Sequence, residues 1–141
     1  MRLSELLDKA LVTKISGNSE VEINKVCYDS RKVEGGSVFV CIVGYETDGH
    51  KYIKNAIASG ATAIVIQDGS EIPEIPEKIT VVNSCDTRKL LAKMSSNFFK
   101  NPEKQLKIIG VTGTNGKTTT SGILAHLVKN DKNTLIYNHL G

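Results

Sequence analysis

The chain has 141 residues, of which 40% are hydrophobic and 23% are charged, and its formal net charge at pH 7 is +3. This balance is typical of a soluble globular protein and argues against wholesale disorder. The 18 basic residues are spread along the chain and aromatic residues make up only 5% of it, so no nucleic-acid-binding surface is indicated.

Neither a targeting segment nor a membrane span is indicated. The first residues, MRLSEL, lack the apolar stretch of a secretory signal, and no later apolar run is long enough to cross a bilayer. Cys27, Cys41 and Cys85 are odd in number and lack metal-ligand spacing, which favours reduced thiols. We therefore expect a cytoplasmic protein that is not inserted in a membrane.

Helical and strand-like segments alternate along the first hundred residues. The predicted helices cover residues 3–11, 52–57 and 86–99, and the predicted strands cover residues 21–24, 38–43, 61–66 and 79–82. In the last of these helices Met94, Phe98 and Phe99 are expected to be core residues. The alternation predicts an α/β fold, with a small mixed or parallel sheet and flanking helices.

Two polar loops precede and follow the strand predicted at 38–43. In the first, Asp29, Ser30 and Arg31 have a local interpretation, an ion pair with a serine cap, and a functional one in which Ser30 helps to hold a diphosphate. The second loop runs from Tyr45 to His50 at the end of a strand, where parallel sheets bind ligands. His50 follows a loop, a position at which histidine more often caps or packs than catalyses.

The sequence GVTGTNGKTTT at residues 110–120 carries the strongest functional signal. The apolar run 106–109 predicts a buried strand before it, and apolar residues at helical spacing predict a helix that begins near Lys117. A glycine-rich turn between them lets backbone N–H groups converge at a helix N-terminus, which suits phosphate oxygens. Lys117 would reach the terminal phosphates and the Thr118 hydroxyl would bind the accompanying Mg²⁺.

This motif is not the general phosphate-loop pattern, because that pattern needs a glycine six positions before the lysine, where this chain has Val111. An ordinary glycine-rich turn is the alternative. We favour the phosphate loop, because the lysine and the hydroxyl stand where phosphate and metal need them.

The polar segment 100–104 ends the third predicted helix and is the best domain boundary in the sequence. We expect a first domain at 1–100. Residues 101–141 then supply the first strand, phosphate loop, helix and strand (134–137) of a Rossmann-like ATP-binding domain. About 40 residues bury too little apolar surface for a complete domain of that kind, so we expect the chain to be incomplete at its C-terminus.

Several motifs together resemble the Mur ligase family, and within it the MurE branch. They are YDSRKV at 28–33, GSVFV at 36–40, DGHKYI at 48–53, RKLLAKM at 88–94 and GVTGTNGK at 110–117. The resemblance covers nearly the whole chain. Family members tolerate the shifted glycine of the phosphate loop. The last residues, YNHLG at 137–141, depart from the pattern and look more like the Mur-like MurT subunit.

The resemblance implies an ATP-dependent ligase of peptidoglycan synthesis that adds meso-diaminopimelate or L-lysine to UDP-N-acetylmuramoyl-L-alanyl-D-glutamate through an acyl phosphate. ATP and Mg²⁺ are the implied cofactors, with Lys117 as the catalytic residue and Thr118 at the metal. The implied ATP-binding residues are Gly113, Thr114, Asn115, Gly116, Lys117, Thr118 and Thr119. The implied UDP-binding residues are Ser30, Tyr45, Glu46 and Thr47.

Two rival functions remain open at this point. One is a non-catalytic module that binds a nucleotide sugar, and the other is a MurT-type subunit of an amidotransferase. A generic phosphate-loop kinase fits poorly, because it leaves the first hundred residues without a role. Since family members continue for several hundred residues, we expect the 141-residue chain to be inactive without the missing C-terminal ligase regions.

Overall fold

The computed structural model describes residues 1–45, 47–105 and 109–128. The chain divides into two compact units, Met1–Gln105 and Leu106–Gly141. The strand predicted at 134–137, the tail at 137–141 and most of the strand predicted at 106–109 lie outside the described residues, as does Glu46.

The first unit is built on one five-stranded sheet. Its strands are β1 (Val12–Ser16), β2 (Lys25–Cys27), β3 (Ser37–Val40), β4 (Ala61–Gln67) and β5 (Thr80–Ser84). They lie in the order β1-β5-β4-β3-β2, with β1 antiparallel to β5 and the other neighbours parallel. The predicted mixed α/β fold is confirmed.

Helices cover both faces of this sheet. Those of the first unit are α1 (Leu3–Leu6), α2 (Ile53–Ala58) and α3 (Thr87–Phe98). The core on one face joins α1 and α3 to the strands through residues such as Leu6, Val40 and Leu90, and the core on the other face includes Phe39 and Ile53. All four residues of β3 are buried, which explains why that strand reads as an unbroken apolar run.

The N-terminal segment differs from its prediction. The helix ends at Leu6 instead of continuing to residue 11, and Leu7 and Leu11 pack against the core from non-helical backbone. Asp8 accounts for the change, because its carboxylate accepts the Ala10 N–H at 2.9 Å and its carbonyl accepts the Leu11 N–H at 3.0 Å, which forms a turn.

Two strand predictions also need correction. β1 was not predicted, because this edge strand shows four exposed residues out of five and owes its place to antiparallel pairing with β5. Residues 21–24 do not form a strand of the sheet, and only Glu22 makes an isolated bridge, to Arg2. The remaining predicted strands are present, although β3 ends at Val40, three residues earlier than expected.

Capping residues fix both ends of α3. At the start, the Asp86 side chain accepts the Lys89 N–H at 3.0 Å. At the end, the Lys100 N–H donates to Asn97 O at 3.0 Å and the Asn101 N–H donates to Ser96 O at 2.7 Å. This pair of bonds is a Schellman motif. Phe99 lies at the C-cap with 69% of its surface accessible, so the prediction that it is a core residue is wrong.

The three cysteines are free thiols, as predicted from their number and spacing. Cys27 and Cys41 are buried in the core that contains Phe39, whereas Cys85 is exposed after β5. Burial raises the pKa of the Cys41 thiol to about 12, and burial also raises the pKa of Cys27.

The Schellman motif yields a stability prediction. Lys100 has φ of 61°, a left-handed conformation that a side chain disfavours. Lys100→Gly should therefore raise the free energy of unfolding by about 0.5–1 kcal/mol, after the larger backbone entropy of glycine in the unfolded chain is subtracted. Urea denaturation measures this change in the free energy of unfolding. Lys100→Ala is the control, because alanine keeps the strain, and an equal gain in both variants would contradict the explanation.

Candidate functional site

Loops at the carboxyl edge of the sheet form a candidate site in the first unit. Because β2, β3, β4 and β5 are parallel, their C-terminal ends meet at one edge. The loop that contains Ser30 follows β2, and the loop that contains Tyr45 and Thr47 follows the neighbouring strand β3. The sheet thus places the predicted UDP-binding residues that the structure describes in two adjacent loops.

A 3₁₀ turn, Ser30–Lys32, carries the first loop. The Arg31 guanidinium donates to both carboxylate oxygens of Asp29, from Nε and from Nη2, each at 2.9 Å. The Asp29 carboxylate also accepts the Arg31 backbone N–H at 3.1 Å, so Asp29 caps the turn, a role that the local interpretation assigned to Ser30. The predicted ion pair is confirmed.

Ser30 is left available by this arrangement. It is half-buried at the start of the turn, and within the described parts of the chain its hydroxyl makes no hydrogen bond. Its carbonyl accepts the Val33 N–H at 3.4 Å, which keeps the backbone engaged. A half-buried hydroxyl on a turn fixed by a neighbouring ion pair is a suitable donor for a ligand oxygen.

The second loop is a tight turn that presents its side chains to solvent. The Gly44 N–H donates to Thr47 O at 2.9 Å, and Val43 bridges Asp48. Tyr45 is fully exposed. The Thr47 hydroxyl lies 3.3 Å from the hydroxyl of Tyr52 at the end of the following 3₁₀ turn.

Each of the two loops presents polar groups at the carboxyl edge. In the first loop, the pKa of Arg31 is raised by hydrogen bonding to Asp29 and by the charge of that carboxylate. In the second loop, the Thr47 hydroxyl lies within hydrogen-bond distance of the Tyr52 hydroxyl.

His50 is a buried structural residue, in agreement with its sequence interpretation. Its side chain is 3% exposed, Nδ1 lies 2.5 Å from Asp48 Oδ1, and Nε2 accepts the Gln67 backbone N–H at 3.1 Å. Burial by itself raises the pKa of Asp48, but the bonds from the backbone and ring of His50 outweigh it, so the pKa lies below its ordinary value.

The sequence did not reveal the residues on α3 and β4 that hold the second loop and the turn after it. Arg88 Nη2, on the first turn of α3, donates to Val43 O at 2.7 Å. Gln67, the last residue of β4, meets His50 and also bonds to residues after β5. Arg88 lies in the RKLLAKM motif, but its contact with this loop could not be read from that motif, and only the position of Gln67 at a strand end indicated a place at this edge.

The phosphate-loop motif forms a separate candidate site, in the second unit. The predicted helix is present as α4 (Lys117–Val128) and begins at the expected residue. Gly113 and Gly116 have φ of 151° and 77°, values that side chains rarely adopt, so the loop needs glycine at these two positions. The Thr120 N–H donates to Gly116 O at 2.9 Å and opens the helix.

This loop fits a bound phosphate. The N–H groups of the first helical turn precede the first helical hydrogen bond and are available to an anion. Lys117 Nζ donates to Gly113 O at 2.5 Å, so its ammonium group turns back over the loop. Thr118 follows on the same turn, where its hydroxyl could bind a cation that accompanies phosphate.

No group of three His, Cys, Asp or Glu side chains is placed to hold a metal ion in residues 1–45, 47–105 and 109–128. A hydroxyl such as that of Thr118 gives a single oxygen ligand, which suits Mg²⁺ because this ion keeps several waters and takes further oxygens from phosphates.

A sequence model of the Mur ligase family, described as the catalytic domain of that family, matches residues 22–99 of this chain. The chain belongs to the Mur ligase family. The matched residues include β2 to β5 and both loops of the carboxyl edge, so the family resemblance seen in the motifs is confirmed.

Curated Mur ligase relatives match a larger part of the chain. The UDP-N-acetylmuramoyl-L-alanyl-D-glutamate–2,6-diaminopimelate ligase of Clostridium perfringens is 45% identical over 129 residues, which are 92% of this chain and 26% of the relative. The enzyme of the same description from Clostridium botulinum is 46% identical over 124 residues, 88% of this chain and 26% of the relative. The chain spans about a quarter of the length of these relatives.

Solved structures of another Mur ligase share the fold. Crystal structure I of MurF from Acinetobacter baumannii superposes with a TM-score of 0.61 at 28% identity, over 83% of this chain and 24% of that one. MurF from Thermotoga maritima, in complex with ADP, gives a TM-score of 0.54 at 30% identity, over 79% and 24% of the two chains.

Among the described residues, no helix is both long enough and apolar enough to cross a membrane.

Gly49 gives a prediction about the second loop. A Cβ at this position would lie 2.7 Å from Ile42 N and 3.1 Å from Ile42 O, which are backbone atoms. Gly49→Ala should therefore displace the loop and lower the free energy of unfolding by about 2 kcal/mol. Gly35→Ala is the matched control, because a Cβ there meets nothing within 4 Å. Thermal or urea unfolding compares them, and equal stability of the two variants would contradict the close approach.

Asp29 gives a prediction about pH. Its pKa is lowered to about 2, chiefly by the hydrogen bond from the Arg31 side chain, against about 3.9 in an unfolded chain. Because the folded pKa is the lower one, the carboxylate stabilises the fold above about pH 3.9, and this contribution is lost as the pH falls through about 2. Asp29→Asn should be less stable than wild type at neutral pH, and the difference should shrink below about pH 3.9 and disappear as the pH falls through about 2.

Carboxyl ¹³C NMR measures the Asp29 titration directly, over the pH range in which the chain stays folded. In Arg31→Gln the midpoint should move upward, since the guanidinium donates two of the bonds that lower the pKa. A wild-type midpoint near the unfolded value of about 3.9 would rule out the ion pair as the cause.

Proposed function

We propose that this chain is the substrate-recognition part, and the start of the ATP-binding part, of a ligase that adds a diamino acid to UDP-N-acetylmuramoyl-L-alanyl-D-glutamate. One observation carries the proposal. The chain is up to 46% identical to diaminopimelate ligases over most of its length, and it has both the edge loops and the Gly-Lys-Thr sequence at the N-terminus of α4. The ligase would act in the cytoplasm, in the synthesis of peptidoglycan.

Residues 1–100 are proposed to bind the UDP part of the substrate. Ser30 would donate its available hydroxyl to the diphosphate, beside a turn that the Asp29–Arg31 pair keeps in place. Tyr45, Glu46 and Thr47 would contact the uridine from the second loop. The exposure of Tyr45 and Thr47 supports this role, because a ligand can reach their side chains without displacing protein contacts.

Residues 101–141 are proposed to begin the ATP-binding domain. The residues that would bind ATP are Gly113, Thr114, Asn115, Gly116, Lys117, Thr118 and Thr119. In the described segment 109–128 these residues form an exposed loop and the first turn of α4, which supports contact with phosphate. Thr118 would contribute its hydroxyl to Mg²⁺. The ADP in the related MurF structure is consistent with this nucleotide class.

Bound ATP would supply the phosphoryl group that activates the substrate carboxylate as an acyl phosphate. Lys117 is the proposed catalytic residue, because its ammonium group already turns over the loop and would offset charge on the phosphoryl oxygens. The N–H groups at the start of α4 would orient the same oxygens. Amide formation needs the incoming amine, and we propose that C-terminal ligase regions bind it.

Isothermal titration of the chain with UDP-N-acetylmuramoyl-L-alanyl-D-glutamate, UDP and Mg-ATP tests this function. Saturable binding of both uridine compounds is expected, weakened about tenfold in Ser30→Ala by the loss of a hydrogen bond to a charged group. Ser59→Ala is the control, since Ser59 is an exposed serine that precedes the opposite end of β4. Any Mg-ATP binding should be lost in Lys117→Ala and kept in Lys54→Ala.

Failure of a folded wild-type chain to bind either uridine compound would overturn the assignment of residues 1–100. Uridine binding with no effect of Lys117→Ala on nucleotide binding would instead favour a non-catalytic nucleotide-sugar module. Circular dichroism of each variant shows whether it is folded, so a loss of binding can be attributed to the altered side chain.

A further inference from the structure

A network of hydrogen bonds around His50 lies beneath the carboxyl edge of the sheet. The His50 ring reaches Asp48 with Nδ1, at 2.5 Å, and the Gln67 backbone N–H with Nε2, at 3.1 Å. The Gln67 side chain continues the path, because its Nε2 donates to Cys85 O at 2.6 Å and its Oε1 accepts the Thr87 N–H at 3.1 Å. The loop after β3 is thereby tied to the ends of β4 and β5.

These contacts fix the tautomer of His50. Since Nε2 accepts a hydrogen bond from a backbone N–H, it carries no proton, and the proton of the neutral ring lies on Nδ1. Nδ1 then donates to the Asp48 carboxylate. Both ring nitrogens have a partner although the side chain is 3% exposed, so the ring fills a buried polar position that few other side chains could fill.

The His50 ring holds the loop, whereas the 3₁₀ turn in which His50 lies has a separate cap. Asp48 caps the 3₁₀ turn Gly49–Tyr52 by accepting the His50 backbone N–H at 2.9 Å, which does not involve the ring. The ring bond to Gln67 crosses 17 residues of sequence and is a hydrogen bond that joins this turn to β4. Removal of the ring should therefore loosen the loop on the side of β4, and leave the turn capped and Arg88 bonded to Val43 O.

We propose that His50 is a positioning residue for the substrate loop, defined as residues 44, 45, 47 and 48. By bonding to the end of β4, it holds Tyr45 and Thr47 in the place from which they meet the uridine compound. Arg88 supports the same loop through Val43 O, so the loop is fixed on both sides. This inference rests on the proposed function, because it assigns the role of His50 through residues proposed to bind substrate.

Three variants separate the two bonds of the ring. His50→Gln can place an amide oxygen near the position of Nε2 and keep the acceptor for the Gln67 N–H. His50→Asn can place an amide N–H near the position of Nδ1 and keep the donor to Asp48, without reaching Gln67. His50→Leu keeps an apolar volume and loses both bonds. If contact with β4 positions the loop, glutamine should restore binding and asparagine should not.

The first measurement is the affinity for UDP-N-acetylmuramoyl-L-alanyl-D-glutamate by isothermal titration of the whole chain. We expect the Kd to rise about tenfold or more in His50→Leu and His50→Asn, and about threefold or less in His50→Gln. Val82→Ala provides the control for stability, because Val82 is buried in the core on the face that contains Leu90. A variant destabilised there should keep the wild-type Kd while it remains folded.

Two further measurements follow the loop without ligand. Amide hydrogen exchange at residues 43, 44, 45, 47 and 48 should be faster than in wild type in His50→Leu and His50→Asn, and should be unchanged in Val82→Ala. Long-range ¹H–¹⁵N NMR of the wild-type imidazole should show the proton on Nδ1. A proton on Nε2, or unchanged exchange in all three His50 variants, would overturn the inference.

The outcomes distinguish this inference from the proposed function. If wild type binds the uridine compound and His50→Leu binds it equally well, the positioning role is wrong and the proposed function stands. If Val82→Ala loses affinity as much as His50→Leu at equal stability, His50 acts only through the overall fold and the positioning role is also wrong. If wild type binds no uridine compound, the proposed function fails and the substrate role of His50 fails with it.

Discussion

Burial of the central strands on both faces is the constraint on which the first unit depends. β3 and β4 can be covered on both sides only because α1 and α3 lie against one face of the sheet and α2 against the other. Each buried valine or phenylalanine in these strands contributes about 1.5–3 kcal/mol of transfer free energy. Parallel neighbours need connections that return the chain to the same end of the sheet. Between β3 and β4 this connection includes α2, whereas the segment between β4 and β5 contains no helix. The loops that could bind a ligand therefore lie together at one edge of the sheet.

The same constraint explains what the sequence could predict. An unbroken apolar run such as β3 or β4 is visible without a structure, as is the amphipathic spacing of α3. The start of α4 at Lys117 could also be predicted, because the glycine-rich turn and the apolar spacing after it both point to that residue. For these elements the local pattern and the tertiary environment favour the same conformation.

The failures lie where tertiary contacts outweigh a local pattern. Leucines at helical spacing predicted a helix to residue 11, yet the Asp8 turn ends it and the later leucines still reach the core. β1 has the exposed composition of an edge strand and is defined by its partner β5. In the two candidate sites, Ser30 and Lys117 could be chosen from motifs. The contacts of Gln67 and Arg88 could not, because they join residues 17 and 45 positions apart in the sequence.

The distribution of the cysteines has a practical consequence for spectroscopy. Cys27 and Cys41 are buried and their thiol pKa values are raised by that burial, so neither offers a reactive thiolate at neutral pH. Cys85 is exposed at the turn between β5 and α3, and its carbonyl accepts the Gln67 side chain. The native sequence therefore already carries a natural attachment point for a fluorophore or spin label beside the carboxyl edge, without any engineered cysteine.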